Sequence, residues 1–309
     1  MTAADLVGEP GGAAGDDGIE GRLGAFLNGS YYWGDKDATS RENAFDFDNF
    51  GLVGGIDYRF TDNWVGGLAV NYSQTNADFE TGPGGDSDTD TYGGSLFGTY
   101  YQGPFYVDAH ANYSRNEFET TRRIIIPNNN PNVTLDLDRT ASGETDGNQY
   151  TIGLGAGYNL ERRGLTVTPY GRLEYIDLDI DGYTETGADG LNLRVSDQSV
   201  TSLQSAFGAQ LAYALSIETG VLVPQVYAEW DHEFRNDSES ISAVYVNDPF
   251  NLSNFVIPTE DPDEDFFTIG ASLSATFRNG VQGFVNFETV EGLSGITNRG
   301  VIGGLRLEF

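Results

Sequence analysis

The chain has 309 residues, with 16 basic and 47 acidic side chains and a formal net charge of −31. This charge excludes duplex nucleic acid as a partner, because phosphate binding needs a basic face, and the absence of cysteine excludes disulfides and thiolate metal sites. No apolar run approaches the roughly 18 residues that a membrane helix needs, yet aromatic residues reach 13% and glycines number 41.

Residues 1–20 are rich in glycine and have poor helix propensity, so they predict a flexible N-terminal segment, periplasmic or lumenal. At most Thr2 to Val7 is expected to form one helical turn. The segment has no basic stretch followed by an apolar one, so it does not read as a signal peptide. We therefore expect a mature or trimmed chain.

From residue 21 to residue 309 the dominant pattern is the alternation of apolar and polar residues. In 105–114 the odd positions are apolar or aromatic and the even positions are hydrophilic; 266–277 shows the same pattern. The alternation predicts twelve strands, at about 21–32, 46–60, 64–78, 90–102, 105–118, 147–160, 165–178, 199–216, 221–234, 265–277, 281–290 and 297–309. Runs of ten or more residues suit strands that cross a bilayer at a tilt. The strands of a soluble sandwich are shorter, at about five residues.

Short turns and long loops alternate between these strands. The loops are predicted at 33–45, 79–89, 119–146, 179–198, 235–264 and, more briefly, 291–296. Aromatic residues flank the turns, as Trp64 does, and also stand near the loops, as Tyr72 does. Bacterial barrels keep short turns in the periplasm and long loops outside. The sequence thus predicts an all-β, transmembrane, antiparallel barrel of the outer-membrane type, with both termini periplasmic and long acidic loops extracellular.

The parity of a residue, meaning its odd or even position along a strand, also predicts whether its side chain faces the lumen. The charged or titratable candidates are Arg22, Asp57, Arg59, Asp108, His110, Arg172, Glu174, Glu229, Glu288 and Arg306, with Glu308 beside them. Mutual pairing would stabilise such a wall, and the same charges would hydrate a pore and set its ion preference. Twelve strands predict a narrow lumen.

The sequence gives little support for catalysis or for a cofactor. His110 shares its face with Asn112 and Ser114, which fits lumen polarity better than an active site. The acidic run from Asp86 to Asp90 lacks the glycine and glutamate that complete a calcium loop, so an EF-hand is excluded. Weak divalent binding in the acidic loops stays open.

Three stretches carry a resemblance to a known family. They are Val167 to Tyr175, Ser202 to Leu211 and Val223 to Phe234, the last containing Trp-x-His-Glu-Phe, and the chain ends on Phe309. In this order they resemble the autotransporter β-domain, the translocator barrel of type V secretion. The resemblance implies insertion by the barrel-assembly machinery, which recognises a C-terminal strand ending in phenylalanine. It also implies export of an N-terminal passenger through the lumen.

The N-terminal segment departs from that family, whose members usually thread a helix through the barrel before the first strand. Two hypotheses about function therefore stay open, and a third, that the barrel is an enzyme, is disfavoured. One is a translocator that carries or anchors a passenger. The other is a stand-alone barrel that acts as a narrow porin or contacts a partner with its loops. Outer-membrane lipid and lipopolysaccharide are expected around either.

Overall fold

The computed structural model describes residues 22–80, 82–128, 137–235, 240–248, 250, 252–261, 263–278 and 280–309. The N-terminal segment 1–20 lies outside these residues. Twelve long strands make up the main sheet: β1 Leu23–Lys36, β2 Phe45–Thr61, β3 Trp64–Phe79, β4 Gly85–Gln102, β5 Phe105–Ile126, β6 Leu137–Tyr158, β7 Leu165–Ile180, β8 Gln198–Tyr213, β9 Gly220–Glu233, β10 Asp265–Phe277, β11 Val281–Glu291 and β12 Ile296–Glu308.

Each strand pairs antiparallel with the next, and β12 pairs with β1 from Gly24↔Glu308 to Lys36↔Ile296. The sheet therefore closes on itself, and the predicted twelve-strand antiparallel barrel is confirmed. Both ends of the described chain lie at the end of the barrel that carries the short turns, called here the short-turn end. There the Phe309 amide donates to the Leu23 carbonyl across 2.9 Å. No α-helix among the described residues is long and apolar enough to cross a membrane.

The outward face is apolar and carries two rings of aromatic side chains. At the short-turn end the Trp64 and Tyr100 rings lie 5.1 Å apart, and toward the opposite, long-loop end Tyr72 and Tyr92 lie 5.2 Å apart. Between them stands Leu68, 54% exposed on the outer face. Eight residues separate Trp64 from Tyr72, which is about 20 Å of height for a tilted strand. This is close to the band that a bilayer core covers.

Several strands run further into the long-loop end than the alternation of apolar residues predicted. The predicted loop 119–146 was wrong over most of its length, because β5 continues to Ile126 and β6 begins at Leu137. Polar cross-strand pairs stabilise this extension in water. Arg115 contacts Asp146 at 2.5 Å and Arg123 contacts Asp138 at 2.7 Å. The predicted loop 79–89 likewise contains the start of β4 at Gly85.

Two further predicted loops, 179–198 and 235–264, contain a small sheet of their own. It has four short strands, Tyr183–Thr184, Leu193–Val195, Ser240–Tyr245 and Phe255–Pro258, and is called here the loop sheet. Leu193, Val195 and Ala243 are its buried centre. The loops therefore form a folded unit over the long-loop end.

One ion pair ties the loop sheet to β5. The Arg122 guanidinium donates to both carboxylate oxygens of Glu185, at 3.0 and 2.6 Å, and also to the Leu191 carbonyl at 3.1 Å. Glu185 is buried and accepts a further hydrogen bond from the Leu193 amide at 2.8 Å. Hydrogen bonding to Glu185 raises the pKa of Arg122 above its ordinary value, because the carboxylate stabilises the charged form. Burial raises the pKa of the nearby Tyr183 phenol.

Candidate functional site

The lumen is the concave site of this barrel, and its two walls differ in chemistry. Inward side chains, mainly of β7–β12, line a cavity of about 350 Å³ that contains carboxylates and arginines. Inward side chains, mainly of β1–β6, line a second cavity of about 410 Å³ in which amides and hydroxyls predominate, such as Asn71, Ser73 and Asn112. We call the side chains that line the first cavity the charged wall and those that line the second cavity the amide wall.

Glu288 is the centre of the charged wall. Its carboxylate accepts hydrogen bonds from the Tyr32 hydroxyl at 2.9 Å, from the Tyr227 hydroxyl at 2.5 Å and from the Asn286 amide nitrogen at 3.1 Å. Tyr32 reaches it from β1 and Tyr227 from β9, each across one intervening strand. Three donors from three strands thus converge on one carboxylate.

Glycines make these cross-strand contacts sterically possible. Gly270 lies between Tyr227 and Glu288, and Gly300 lies between Glu288 and Tyr32. A Cβ added at Gly270 would lie within 2.5 Å of three atoms of Tyr227. Only glycine fits at such positions, because the neighbouring ring occupies the space that a side chain would need.

The same arrangement recurs on β6. Gly153 and Gly155 stand between inward side chains of β5 and β7. Over Gly153 the His110 Nε2 atom lies 3.6 Å from Glu174 Oε2. Over Gly155 lies Asp108, opposite Arg172 on β7. The glycines of this strand let side chains from its two neighbours approach each other across it.

Two arginines form ion pairs in the lumen. Arg172 donates to Glu229, whose side chain is 5% exposed. Arg306 binds Asp57 with two hydrogen bonds, at 3.1 and 2.6 Å, and also pairs with Glu308. Asp57 is only 2% exposed. The bidentate geometry is the strong form of an arginine–carboxylate pair, so this contact anchors β2 to β12 across β1.

The residues predicted to face the lumen fall into two groups. Most of them lie on the charged wall or in its ion pairs: Asp57, Asp108, Arg172, Glu174, Glu229, Glu288 and Arg306. His110 lines a small neighbouring cavity with Asp108 and Glu174 and also borders the amide wall. Arg22 and Arg59 instead lie at the short-turn end, where the Arg59 amide donates to the Arg22 carbonyl at 2.8 Å. Arg22 is exposed there, and neither arginine lines either cavity.

Reasoning from charge alone missed Tyr32, Tyr227, Asn286 and Asp231, all of which line the charged wall. Tyr227 and Asp231 share the parity of Glu229, and that was the available signal. The convergence on Glu288 depends on the register between strands, which the sequence does not state.

Among the described residues, the two histidines of the chain lie in different surroundings. Neither ring nitrogen of His110 has a hydrogen-bond partner there. The other histidine, His232, places Nδ1 at 2.9 Å from Asp265 Oδ1 on the outer rim. Among these residues there is also no group of three or more histidine, aspartate or glutamate side chains placed to hold a metal ion.

An apolar outer band between aromatic rings, a polar lumen and a closed sheet of twelve strands together define an outer-membrane β-barrel. The autotransporter β-domain family matches residues 25–288. The chain belongs to this family, as the resemblance indicated, and is an outer-membrane barrel of the autotransporter type.

The chain is also similar to individual proteins. Outer membrane protein A of Rickettsia rickettsii is 27% identical over 238 residues, which cover 75% of this chain and 10% of that protein. Esterase EstA of Pseudomonas aeruginosa is 22% identical over 72% of this chain and 33% of its own length. The chain thus spans a minor part of these relatives. In fold it is similar to the translocator domain of the autotransporter NalP from Neisseria meningitidis, with a TM-score of 0.72, 15% identity and coverage of 93% and 89% of the two chains.

Proposed function

We propose that this barrel exports, and then anchors at the cell surface, a passenger that precedes it in the full-length protein. The observation that carries the proposal is the position of Leu23, where β1 begins at the short-turn end beside the end of β12. A segment upstream of Leu23 reaches the long-loop end only by passing through the lumen. The polar walls would solvate such a segment.

We further propose that the short-turn end lies in the periplasm and the long-loop end outside, as is usual for bacterial barrels, and the outward face supports a membrane boundary below the long loops. Beyond Tyr72 and Tyr92, the outward positions of β3 and β4 change to charged residues such as Asp78 and Asp88. Charges of this kind are excluded from hydrocarbon. The strands therefore leave the membrane at this level, where lipopolysaccharide and outer-leaflet lipid would surround them.

Phe309 is the proposed signal for the barrel-assembly machinery. Its side chain is 64% exposed, and its backbone amide makes the hydrogen bond to Leu23, which serine at this position would keep. Phe309→Ser should therefore leave refolding from urea into detergent nearly unchanged while lowering the amount of assembled barrel in cells. Equal losses in both measurements would show that the side chain acts in folding and is not a recognition signal.

Surface display tests the export step. An epitope with a protease site is fused upstream of residue 22, and intact cells are treated with protease. We expect cleavage at the surface, with the barrel retained in its folded, heat-modifiable form. A folded barrel whose epitope stays protected until the outer membrane is opened would refute export. The alternative, a stand-alone porin, is not favoured by the family match.

A further inference from the structure

The turn between β6 and β7 carries two adjacent arginines, Arg162 and Arg163. Both are exposed, and among the described residues no carboxylate forms an ion pair with either of them. The arginines on the extension of β5 and β6 differ, since Arg115, Arg123 and Arg139 each contact a carboxylate. In a chain with 47 acidic and 16 basic side chains, two neighbouring cations that have no acidic partner point to a partner outside the chain.

Arg162 belongs to the lipid-facing side of the barrel. The segment Leu160–Arg162 prolongs β6 and pairs with the start of β7, so that Arg162 lies opposite Leu165, which in turn lies opposite Tyr213. Leu160, Leu165 and Tyr213 are 53%, 37% and 45% exposed on the outer face. Because directly opposed residues share one face of a sheet, the Arg162 side chain also points outward.

The height of Arg162 is that of the lipid headgroups. Leu160 is the last apolar outward residue before the turn, and Arg162 follows it by two residues, which is about 7 Å along the strand. The aromatic ring of Tyr213 lies beside the same turn, 3.9 Å from the position that a Cβ on Gly164 would take. Tyrosine and arginine side chains both settle where an apolar stem contacts lipid and a polar tip contacts water.

The acidic residue of this turn does not face the same way as Arg162. Glu161 stands between Leu160 and Arg162 in the chain, and successive side chains of a strand point to opposite faces. The Glu161 carboxylate is therefore directed toward the inner face, and it leaves the charge of Arg162 available on the lipid side.

Arg163 has a backbone conformation that arginine seldom adopts. Arg163 and Gly164 have φ values of +53° and +83°, and together they form the two-residue loop between the paired residues Arg162 and Leu165. Hairpin loops in which both φ values are positive favour asparagine or aspartate followed by glycine. Arginine is unfavourable at the first of these positions. A strained residue on an exposed turn points to a role outside folding.

Two neighbouring guanidinium groups suit a phosphate. Each guanidinium is a planar fork of N–H donors that can bind two phosphate oxygens at once. The apolar residues next to them, Leu160 and Leu165, suit a hydrocarbon chain. A lipid with a phosphate headgroup offers both chemistries in one molecule, whereas a free phosphate ion offers only the first.

We propose that Arg162 and Arg163 form a binding site for the headgroup phosphate of a glycerophospholipid in the leaflet at the short-turn end. The acyl chains of this lipid lie along Leu160 and Leu165. In the orientation proposed above, the leaflet is the periplasmic one. The site goes beyond the export function, because it needs only the folded barrel and its lipid.

Lipid binding to the full chain, refolded in dodecyl maltoside, tests the site. Native mass spectrometry measures the dissociation constant of the first bound lipid. The probes are dioleoyl phosphatidylglycerol and diglucosyl dioleoylglycerol, which has the same acyl chains and no phosphate. The test variant is Arg162→Gln/Arg163→Gln. The matched control, Arg123→Gln/Arg194→Gln, removes two exposed arginines of the long-loop end. Each variant is first checked for the heat-modifiable form.

We expect the unmodified chain to bind phosphatidylglycerol about tenfold more tightly than the glucolipid, a difference of about 1.4 kcal/mol. Arg162→Gln/Arg163→Gln should lose this preference, and the control should keep it. The single variant Arg163→Asn should bind phosphatidylglycerol more weakly and yet unfold at a higher urea concentration in lipid-free detergent, because asparagine suits this turn.

Equal affinity of the unmodified chain for the two lipids, or equal losses in the two double variants, would overturn the proposal. Release of phosphatidylglycerol by millimolar inorganic phosphate would overturn it too, because the site would then recognise phosphate without the lipid. An Arg163→Asn variant that keeps full affinity would have the same consequence. Export plays no part in these measurements, so loss of the lipid site would leave the proposed function in place.

Discussion

Replacing Gly300 with alanine tests whether glycines of the lumen wall are required by their neighbours. The added Cβ would lie within 3.1 Å of three ring atoms of Tyr32, so the ring must move and release Glu288. Overpacking of this kind destabilises by about 1–3 kcal/mol, and loss of a hydrogen bond to a charged group by about 1.5–3 kcal/mol. Alanine's advantage in backbone entropy, about 0.5–1 kcal/mol, offsets part of this. We expect a net loss of about 2–4 kcal/mol in the free energy of unfolding.

The control lies on the same strand. A Cβ at Gly303 would meet its nearest atom, the Phe284 carbonyl oxygen, at 3.4 Å, so Gly303→Ala should be nearly neutral. Equilibrium unfolding in urea, followed by tryptophan fluorescence in detergent micelles, measures both variants. Tyr32→Ala removes the clashing ring, so Gly300→Ala in that background should lose most of its effect. Equal stability of the Gly300 and Gly303 variants would refute the reasoning.

Three further outcomes follow. Arg122→Ala leaves the buried Glu185 without its arginine and should loosen the loop sheet by about 2 kcal/mol, less than for a fully buried pair because Arg122 is 41% exposed. Protease should then cleave the loops about thirtyfold faster, whereas Arg123→Ala, which breaks an exposed pair, should leave the rate unchanged. Burial and neighbouring aspartates raise the pKa of Asp88, so its ionised form is disfavoured when folded and stability falls as pH rises through that pKa. Asp88→Asn should therefore stabilise the barrel at pH 7 and lose its effect below the ordinary aspartate pKa, and an effect that grows in acid would contradict this. If the lumen conducts, planar-bilayer recordings should show cations preferred over anions, and a reversal potential of anion sign would contradict the charge assignment of the lumen.

The barrel itself was predictable because the membrane imposes a strict rule on every spanning strand. Outward positions such as Leu68 must be apolar, so alternation and length together identify the strands. This requirement for apolar outward positions applies only where a strand crosses the lipid. From Ser114 to Arg123, β5 has polar residues on both faces apart from Phe118, and alternation gives no signal there. The extension to Ile126 depends on pairing with β6, which is a property of two strands together.

The site was predictable in composition and not in arrangement. Parity places Glu229 and Glu288 inside, but nothing local states that two tyrosines from different strands converge on Glu288. That convergence depends on the strand register where β12 pairs with β1 and on the glycines at 270 and 300. Asn286 carries no charge, so reasoning from charge could not identify it. Its importance arises only from the atoms that its amide contacts.

The glycines at the seam between β12 and β1 also have a consequence for how the barrel closes. Tyr32 lies opposite Gly300 and Asn28 opposite Gly304, whereas Ile302 stands between them, opposite Ser30. A slip of two residues keeps every side chain on its own face, so the apolar pattern does not oppose it. The slip would place the Tyr32 ring against Ile302 or Asn298 in place of a glycine. The alternation of side chains and glycines along the pairing of β12 with β1 therefore favours the observed register when the barrel closes.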